Sequence, residues 1–407
     1  MGENIDNGKS LLEGVRILEL ANVVAGPFAA SLLADYGAEV IKVEQPGEGD
    51  SVRSSGPKRK GVNLWWKVAG RNKKNITLNL REPRGQEICK QLVSKCDAVI
   101  ENFRPGALEK WNLGWDQLSK VNPSLIMLRI SGFGQTGPYS PRPGFGKIAE
   151  AMSGVMQITG NRGEKPISPG FSFADTVSGL TGAFALMTAL YNRDALGIKK
   201  GQVIDVALFE SIFRLIEWQV TLFDQLGLVP ERNGARMALG ASPWLINNYL
   251  TKDGKWVAIS AATKSVMDRV LKLIGGDELL NDDRFKSEKA AMNMDELDSM
   301  VSNWMKKHDR KEVIGLFVAN GAVAAPIYDI RDIFEDPQYA ARNDIVAVED
   351  PDLGQMKMLG VMPKFPAMPG KIRWTGKEMG AFNQEVYCRL LGMAQSEIEK
   401  LTAEGIL

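Results

Sequence analysis

Asp175 stands in the stretch Phe171-Ser-Phe-Ala-Asp-Thr-Val-Ser-Gly-Leu180, between an apolar approach and a helix pattern rich in small residues. An acid so placed is either a helix cap, accepting amide hydrogens of the first turn, or a nucleophile. The two roles coexist. A helix N-terminus favours an anion by about 0.3–1 kcal/mol, and attack on a carbonyl requires the anion. Ser178, Gly179 and Gly182 follow and allow close backbone approach. The chain offers few other nucleophiles with a partner. His308, the only histidine, lies in the polar run Met305-Lys-Lys-His-Asp-Arg-Lys-Glu312 and reads as a surface residue. Cys89 and Cys96 are spaced close to two helical turns, so they are expected to pack rather than react. No GxSxG elbow is present, which argues against a Ser-His-Asp triad.

Two further patterns could carry chemistry. Gly132-Phe-Gly-Gln-Thr-Gly137 matches GxGxxG directly after an expected strand. A dinucleotide site needs a helix to open there, whereas Pro138, Pro141 and Pro143 follow, so a structural or substrate-facing loop is the expectation. Lys58-Arg-Lys60 and Arg71-Asn-Lys-Lys74 are basic clusters. They form either a solvated face or the phosphate contacts of a small polyphosphate ligand.

Composition narrows the classes. Fifty basic and 49 acidic side chains nearly cancel, which argues against a nucleic-acid or polybasic membrane binder. No apolar run reaches the roughly 18 residues of a spanning helix, and the polar segment Met1 to Ser10 gives no secretory signal. Three cysteines without a CxxC, and one histidine, suit a reducing cytoplasm and give no metal site.

The elements that must position Asp175 follow from periodicity. Strands are expected at 15–20, 38–44, 97–101, 124–130 and 203–208. Helices are expected at about 27–36, 84–96, 176–192 and 209–227. Such alternation gives a parallel sheet covered by helices. At 407 residues, two domains are expected. A composition shift at Pro230-Glu-Arg-Asn-Gly234 opens the second. It begins with a hairpin turning at Asp253-Gly254. Helical patterns follow at 264–274, 295–307 and 310–319, and the tail has an extended proline-bearing stretch before a helix near 381–391. The expected division is 1–225, 226–330 and 331–407, the last returning to the large domain.

Taken together the motifs resemble those of the class III (CaiB/BaiF-type, formyl-CoA transferase-like) CoA-transferases over nearly the whole chain. The matching stretches are Leu12 to Leu20, Ala25-Gly-Pro-Phe28, Asp35 to Glu44, Asn72-Lys-Lys74 with Leu78-Asn-Leu80, and Glu101-Asn-Phe-Arg-Pro-Gly106. They continue with Ser131-Gly-Phe-Gly-Gln-Thr-Gly-Pro138, Ala174-Asp-Thr-Val-Ser-Gly179 and Asp336-Pro-Gln-Tyr-Ala-Ala-Arg342, and Val361-Met-Pro-Lys-Phe365 resembles the carnitine-type members.

The resemblance implies a large Rossmann-like α/β domain with a parallel sheet, a smaller α/β domain and an interlocked homodimer. It implies transfer of CoA from an acyl-CoA to a free carboxylic acid through an aspartyl anhydride and an aspartyl-CoA thioester on Asp175. Coenzyme A enters as substrate, with no tightly bound cofactor and no metal. The CoA-binding positions of the family map onto Val23, Val24, Ala25, Lys42, Glu44, Asn72, Lys73, Lys74, Asn102, Phe103 and Arg104. Gly134, Gln135, Tyr139 and Phe145 are expected at the substrate pocket, with the Gly132–Gly137 loop and the Val24–Ala25 amides stabilising oxyanions. The chain departs from the pattern in two places. Val24 stands where some members carry glutamine, and Asn233 to Pro243 is only partly glycine-like as a lid. A sister branch, the α-methylacyl-CoA racemases, needs a histidine where this chain has Phe145, and phenylalanine relays no proton. A CoA-binding protein without turnover is the remaining alternative.

Overall fold

The computed structural model describes residues 10–236 and 243–407. It divides into two compact units. The first joins residues 1–153, 169–215 and 338–407; the second joins 154–168 and 216–337. The short segment 154–168, inside the stretch expected to be large-domain sequence, therefore packs with the second unit.

The first unit is built on a six-stranded parallel sheet: β1 (Arg16–Glu19), β2 (Glu39–Glu44), β3 (Lys73–Thr77), β4 (Ala98–Glu101), β5 (Ile126–Ser131) and β6 (Gln202–Ala207). Their order is β3-β2-β1-β4-β5-β6, with all five pairings parallel. β1, β2, β4 and β5 are almost wholly buried, as apolar runs covered by helices on both faces must be. The order reverses between β1 and β4, and in such sheets ligands bind beyond the carboxyl ends of the strands at that reversal. The expected strands appear with boundaries shifted by one or two residues. β3 was not among them. Its sequence opens with Lys73-Lys74, which reads as a basic surface cluster although both residues lie on a strand.

Helix α1 (Ala25–Asp35) follows β1. Pro27 sits in its first turn, where no intrahelical amide is required of it. α2 (Pro83–Val93), α3 (Gly146–Met152), α4 (Phe173–Asp194) and α5 (Leu208–Phe213) complete the principal helices. α4 packs against α1, α3, α5 and β5. It is the one helix among the described residues long and apolar enough to cross a bilayer by composition, and these contacts make it the unit's central helix. The expected helix at 209–227 breaks after Phe213 into a 3-10 turn, and resumes only at Gln219.

The chain's end docks on edge strand β3. Asn72 donates its amide to the Trp374 carbonyl, Phe382 donates to Asn75, and the buried Tyr387 hydroxyl donates to the Thr77 carbonyl at 2.6 Å. The exposed edge is thus covered, as sheet edges generally must be. A hairpin, Ile345–Asp350 with Gly354–Leu359, was hidden in the proline-bearing tail; Lys67 ties it down by an ion pair to buried Asp350.

The second unit holds β7 (Leu245–Leu250) and β8 (Trp256–Ala261), joined antiparallel through the Asp253-Gly254 turn, with β9 (Ala324–Pro326) on the other side of β8. α6 (Lys264–Asn281), α7 (Met294–Met305) and α8 (Arg310–Ala319) cover it around Phe317, Leu297 and Val257.

Charge is buried inside the first sheet. Glu19 Oε1 accepts a hydrogen bond from Lys42 Nζ at 2.8 Å, and its Oε2 forms an ion pair with Lys73 Nζ at 2.8 Å. Lys42 also pairs with Asp50 at 2.8 Å, and all four side chains are at most 1% exposed. Removing one partner of such a network leaves an uncompensated charge, at a cost of about 3–5 kcal/mol. Glu19→Ala strands Lys73 with only the Pro27 carbonyl. It should lower the first urea-unfolding midpoint markedly, read by tryptophan fluorescence; an unchanged midpoint would show the network to be energetically idle.

Candidate active site

The first turn beyond β1 is strained. Val23 has φ 68°, a left-handed conformation that a β-branched residue adopts only when its surroundings impose it. Two side chains do so. Asp50 accepts the Val23 amide at 3.2 Å, and Asn102 both accepts the Asn22 amide at 2.8 Å and donates to the Asn22 carbonyl at 2.7 Å. Asp50 is itself fixed by Lys42, which keeps its carboxyl below the usual range despite burial. This turn delivers the chain into α1. The amides that open a helix have no carbonyl four residues back, so those of Val24 and Ala25 are available to an anion.

Helix α4 carries Asp175 against this turn. Gly179 makes the approach possible: a Cβ there would lie 2.7 Å from the Ala25 carbonyl oxygen and 3.0 Å from Phe28. Asp175 lies one helical turn before Gly179, so the carboxylate stands beside the opening of α1.

Asp175 is not the helix cap. Ser172 occupies the cap position without a side-chain hydrogen bond, and Asp175 is the third helical residue, with its own backbone amide bonded to its carboxylate. Burial outweighs that hydrogen bond and pushes the carboxyl up to about 6, with a smaller push from Glu150. The helix terminus was expected to hold the acid well ionised; desolvation works against it and wins. At neutral pH the anion still predominates.

The Gly132–Gly137 loop acts through closeness of backbone. Gly134 and Gly137 have φ 84°, and the Gln135 amide donates to Asp205 at 2.9 Å. No helix opens in this loop; the next begins at Gly146. A Cβ on Gly132 would stand 2.8 Å from Gly144 Cα, so two strips of bare backbone meet there. That contact brings Gly146 under the Asp175 carboxylate. A Cβ on Gly146 would fall 2.2 Å from Asp175 Oδ2, so the carboxylate occupies the place a side chain would fill. Gly146 was not picked out from the sequence, where one glycine among 41 carries no signal.

The remaining expected residues divide. Val23, Val24 and Ala25 lie on the turn, and Asn102, Phe103 and Arg104 follow β4 at the sheet's reversal. Arg104 is exposed; Phe103 packs edge-on against Trp111 with ring centres 5.2 Å apart. Lys42, Glu44, Asn72, Lys73 and Lys74 all engage partners within the protein. Glu44 is held by Arg53 at 2.6 Å and by Asn75. Asn72, at φ 61°, bonds Asp35, the Lys371 carbonyl and the Arg373 amide. Lys74 is paired with Glu39 and Glu385 at 2.6 Å each. Their polar groups are occupied in holding sheet, turn and tail. The reason lies in β3: once these residues form a strand, the Lys73 side chain points into the core. Lys58, Arg59 and Lys60 remain solvated. At the substrate side, Tyr139 is covered by the Arg142 guanidinium at 3.7 Å, Gln135 reaches Ser131, and Phe145 is 70% exposed next to Gly146. A cavity of about 460 Å³ lies beside Asp175's turn, lined mainly by apolar groups including Val24, Phe28, Trp65 and Phe171, with Ser172 and Thr176. The lid expected across Asn233 to Pro243 falls largely on residues 237–242, outside the described residues.

The other candidate nucleophiles are accounted for. Burial pushes the Cys89 thiol up to about 12, and Cys96 is raised further. His308 bonds Glu312 at 2.9 Å in the second unit and stacks on Trp304. Phe145 stands where a racemase needs its base, and carries none.

The profile of "CoA-transferase family III" matches residues 12–381. The chain belongs to that family. It is an enzyme of the class III CoA-transferase type. Succinyl-CoA–D-citramalate CoA-transferase of Chloroflexus aurantiacus is 41% identical over 97% of this chain and 98% of its own length. Succinyl-CoA:glutarate CoA-transferase of Mus musculus is 33% identical over 97% of the chain and 90% of its own. The crystal structure of a CaiB/BaiF family protein from Brucella suis superposes with TM-score 0.81 at 32% identity, covering 94% of this chain and 99% of that one.

The glycine contact gives a direct test. Gly146→Ala leaves the backbone unstrained, since φ there is not positive. It pushes Asp175 Oδ2 aside, and a misplacement of about 1 Å at a reacting group costs on the order of 100-fold in rate. CoA exchange should fall by about that factor with the circular-dichroism spectrum unchanged. Wild-type exchange in this variant would mean that the carboxylate position does not matter.

Proposed function

We propose that this CoA-transferase works through covalent catalysis on Asp175. The observation that carries the reading is the desolvated Asp175 carboxylate, resting on Gly146 in the turn of α4 whose Ser172 and Thr176 line one apolar cavity with Val23, Val24 and Pro27 at the opening of α1. One Asp175 oxygen attacks the carbonyl carbon of the donor thioester. The C–S bond breaks, CoA thiolate leaves, and an aspartyl–acyl anhydride remains. Thiolate then attacks the aspartyl carbonyl, releasing the donor's acid and forming an aspartyl-CoA thioester. The acceptor carboxylate attacks that thioester to give a new anhydride, and thiolate takes the acceptor's acyl group, restoring Asp175. The cycle splits one difficult exchange into easier steps. It moves no net proton, so it needs no acid–base pair, in keeping with a site whose neighbour at 145 is phenylalanine. Each attack makes an oxyanion, which the amides of Val24 and Ala25 are placed to receive.

The coenzyme is proposed to lie along the sheet's reversal, from Val23–Ala25 to Asn102–Arg104, with the exposed Arg104 guanidinium toward its phosphates. A four-carbon dicarboxylic acyl group, succinyl, is the proposed donor, on the strength of the two relatives described. A second copy of the chain is proposed to cover the apolar stripe Leu180, Phe184 and Tyr191 of α4, which are 59%, 73% and 63% exposed. A monomer in sedimentation would remove that part.

Succinyl-CoA followed by hydroxylamine or borohydride should leave Asp175 modified in the mass spectrum. Asp175→Asn should lose at least 1,000-fold in exchange, as is typical of a removed nucleophile; full activity in that variant sinks the mechanism. The attacking form is the anion, and the folded acid titrates at about 6. The rate of the first half-reaction should therefore rise with pH through about 6 and level off above it. A rate that falls over that range would point to a protonated group instead.

For the donor, a panel of acyl-CoAs against citramalate, malate and glutarate, read by mass spectrometry, should favour succinyl-CoA. Preference for a monocarboxylic donor by tenfold or more would reassign it.

A further inference from the structure

One buried acid at the site is used by none of these steps. Glu150 lies on α3, one turn beyond Gly146, and is 4% exposed. α3 packs on both α4 and α5. Its carboxylate reaches the opening of α4, with Oε1 3.5 Å from the Ala174 amide nitrogen. Ala174 is the residue before Asp175, and the α4 cap residue Ser172 supplies no side-chain bond of its own. Glu150 thus stands where a cap would act, but from another helix. The same helix supplies the bare backbone of Gly146 against which Asp175 Oδ2 rests. These two contacts with the turn of Asp175 come from α3.

We propose that Glu150 is a positioning residue for Asp175: it anchors the first turn of α4 through the Ala174 amide and sets a second negative charge beside the nucleophile. This rests on the reading of Asp175 as the nucleophile. The charged groups on the elements packed about Glu150 at this end are few. They are Asp175 on α4, Glu210 on α5, Arg214 in the turn after it, and Lys147 on α3 itself. Glu210, Arg214 and Lys147 are exposed to solvent, whereas Glu150 is not. Screening by water weakens the exposed charges and leaves the buried one to act. Its charge makes the Asp175 anion costlier, in the direction seen for this carboxyl. A more basic carboxylate is the better nucleophile toward a thioester, so the like charge serves the attack while the α1 amides receive the oxyanion.

The test is Glu150→Gln, which keeps an oxygen for the Ala174 amide and removes the charge. The acid limb of the first half-reaction, followed by thiolate release from succinyl-CoA, should move down by roughly half a pH unit or more, the scale expected of a nearby like charge. The KM for succinyl-CoA should hold within about twofold, since no contact with CoA is lost. Glu150→Ala removes the anchor as well, and should lower kcat further than Glu150→Gln at a pH above both limbs. An acid limb that stays in place in a folded Glu150→Gln protein overturns the proposal. Should that variant fail to fold, Glu150→Asp decides: it keeps the charge but draws the carboxylate back from the Ala174 amide, so kcat should fall while the acid limb stays in place. Wild-type kcat, or an acid limb that moves, overturns the proposal. The outcomes separate from those of the nucleophile reading. An inactive Asp175→Asn with an unmoved limb in Glu150→Gln removes only the role of Glu150; an active Asp175→Asn removes the nucleophile.

Discussion

The buried charge chain Lys73–Glu19–Lys42–Asp50 is the constraint on which the site depends. Each ion alone would be costly inside a sheet. Together they pass the cost along from strand to strand: β3 to β1, β1 to β2, and β2 to the segment that holds Asp50. The chain ends at the amide of Val23. A valine at φ 68° does not hold itself there, and Asp50 can hold it only while Lys42 keeps Asp50 ionised and still. The turn that aims the first amides of α1 is therefore set by lysines and a glutamate buried within the sheet. Asn102, from the far side of the sheet's reversal, closes the same turn through both backbone groups of Asn22. Segments that follow β2 and β4, the two strands flanking β1 in the sheet, thus fix one short loop.

The nucleophile is placed by the opposite device, the absence of side chains. Gly179 lets α4 settle on the Ala25 carbonyl, Gly132 and Gly144 let two loops touch, and Gly146 leaves the space that Asp175 fills. Charge fixes the turn, and missing Cβ atoms fix the distance from turn to carboxylate. Positioning by packed backbone has little slack, because backbone cannot rotate away as a side chain can.

The sequence made some of this legible and hid the rest for definite reasons. The strands β1, β2, β4 and β5 were plain because apolar, branched runs buried on both faces have few other readings. Asp175 was plain because it is a lone acid before a helix of small residues. The cap at Ser172, three residues earlier, was missed because Asp175 is itself a good capping type and spacing alone does not choose between them. β3 was missed because its lysines look like surface charge; only Glu19 on another strand shows Lys73 to be core. Gly146 and Glu150 were missed because their meaning is a distance to Asp175. No periodicity carries a distance between helices. The tail hairpin was masked by prolines: Pro351 sits in its turn, and Pro363, Pro366 and Pro369 follow it.

The value near 6 for Asp175 shows what the site trades. A carboxylate in water is well solvated and a poor nucleophile. Burial removes that solvation and raises its basicity, at the risk of leaving it protonated and inert. The balance stops where the anion still dominates at neutral pH. In an anhydride cycle the same carboxylate must also depart, from the donor's acyl group and later from the acceptor's. A fully buried acid, with a still higher pKa, would attack well, leave badly and lie protonated. A fully solvated one would leave well and attack badly. On the covalent reading proposed above, burial and the neighbouring Glu150 set Asp175 between those limits: raised enough to attack, ionised enough to attack at neutral pH, and still able to depart.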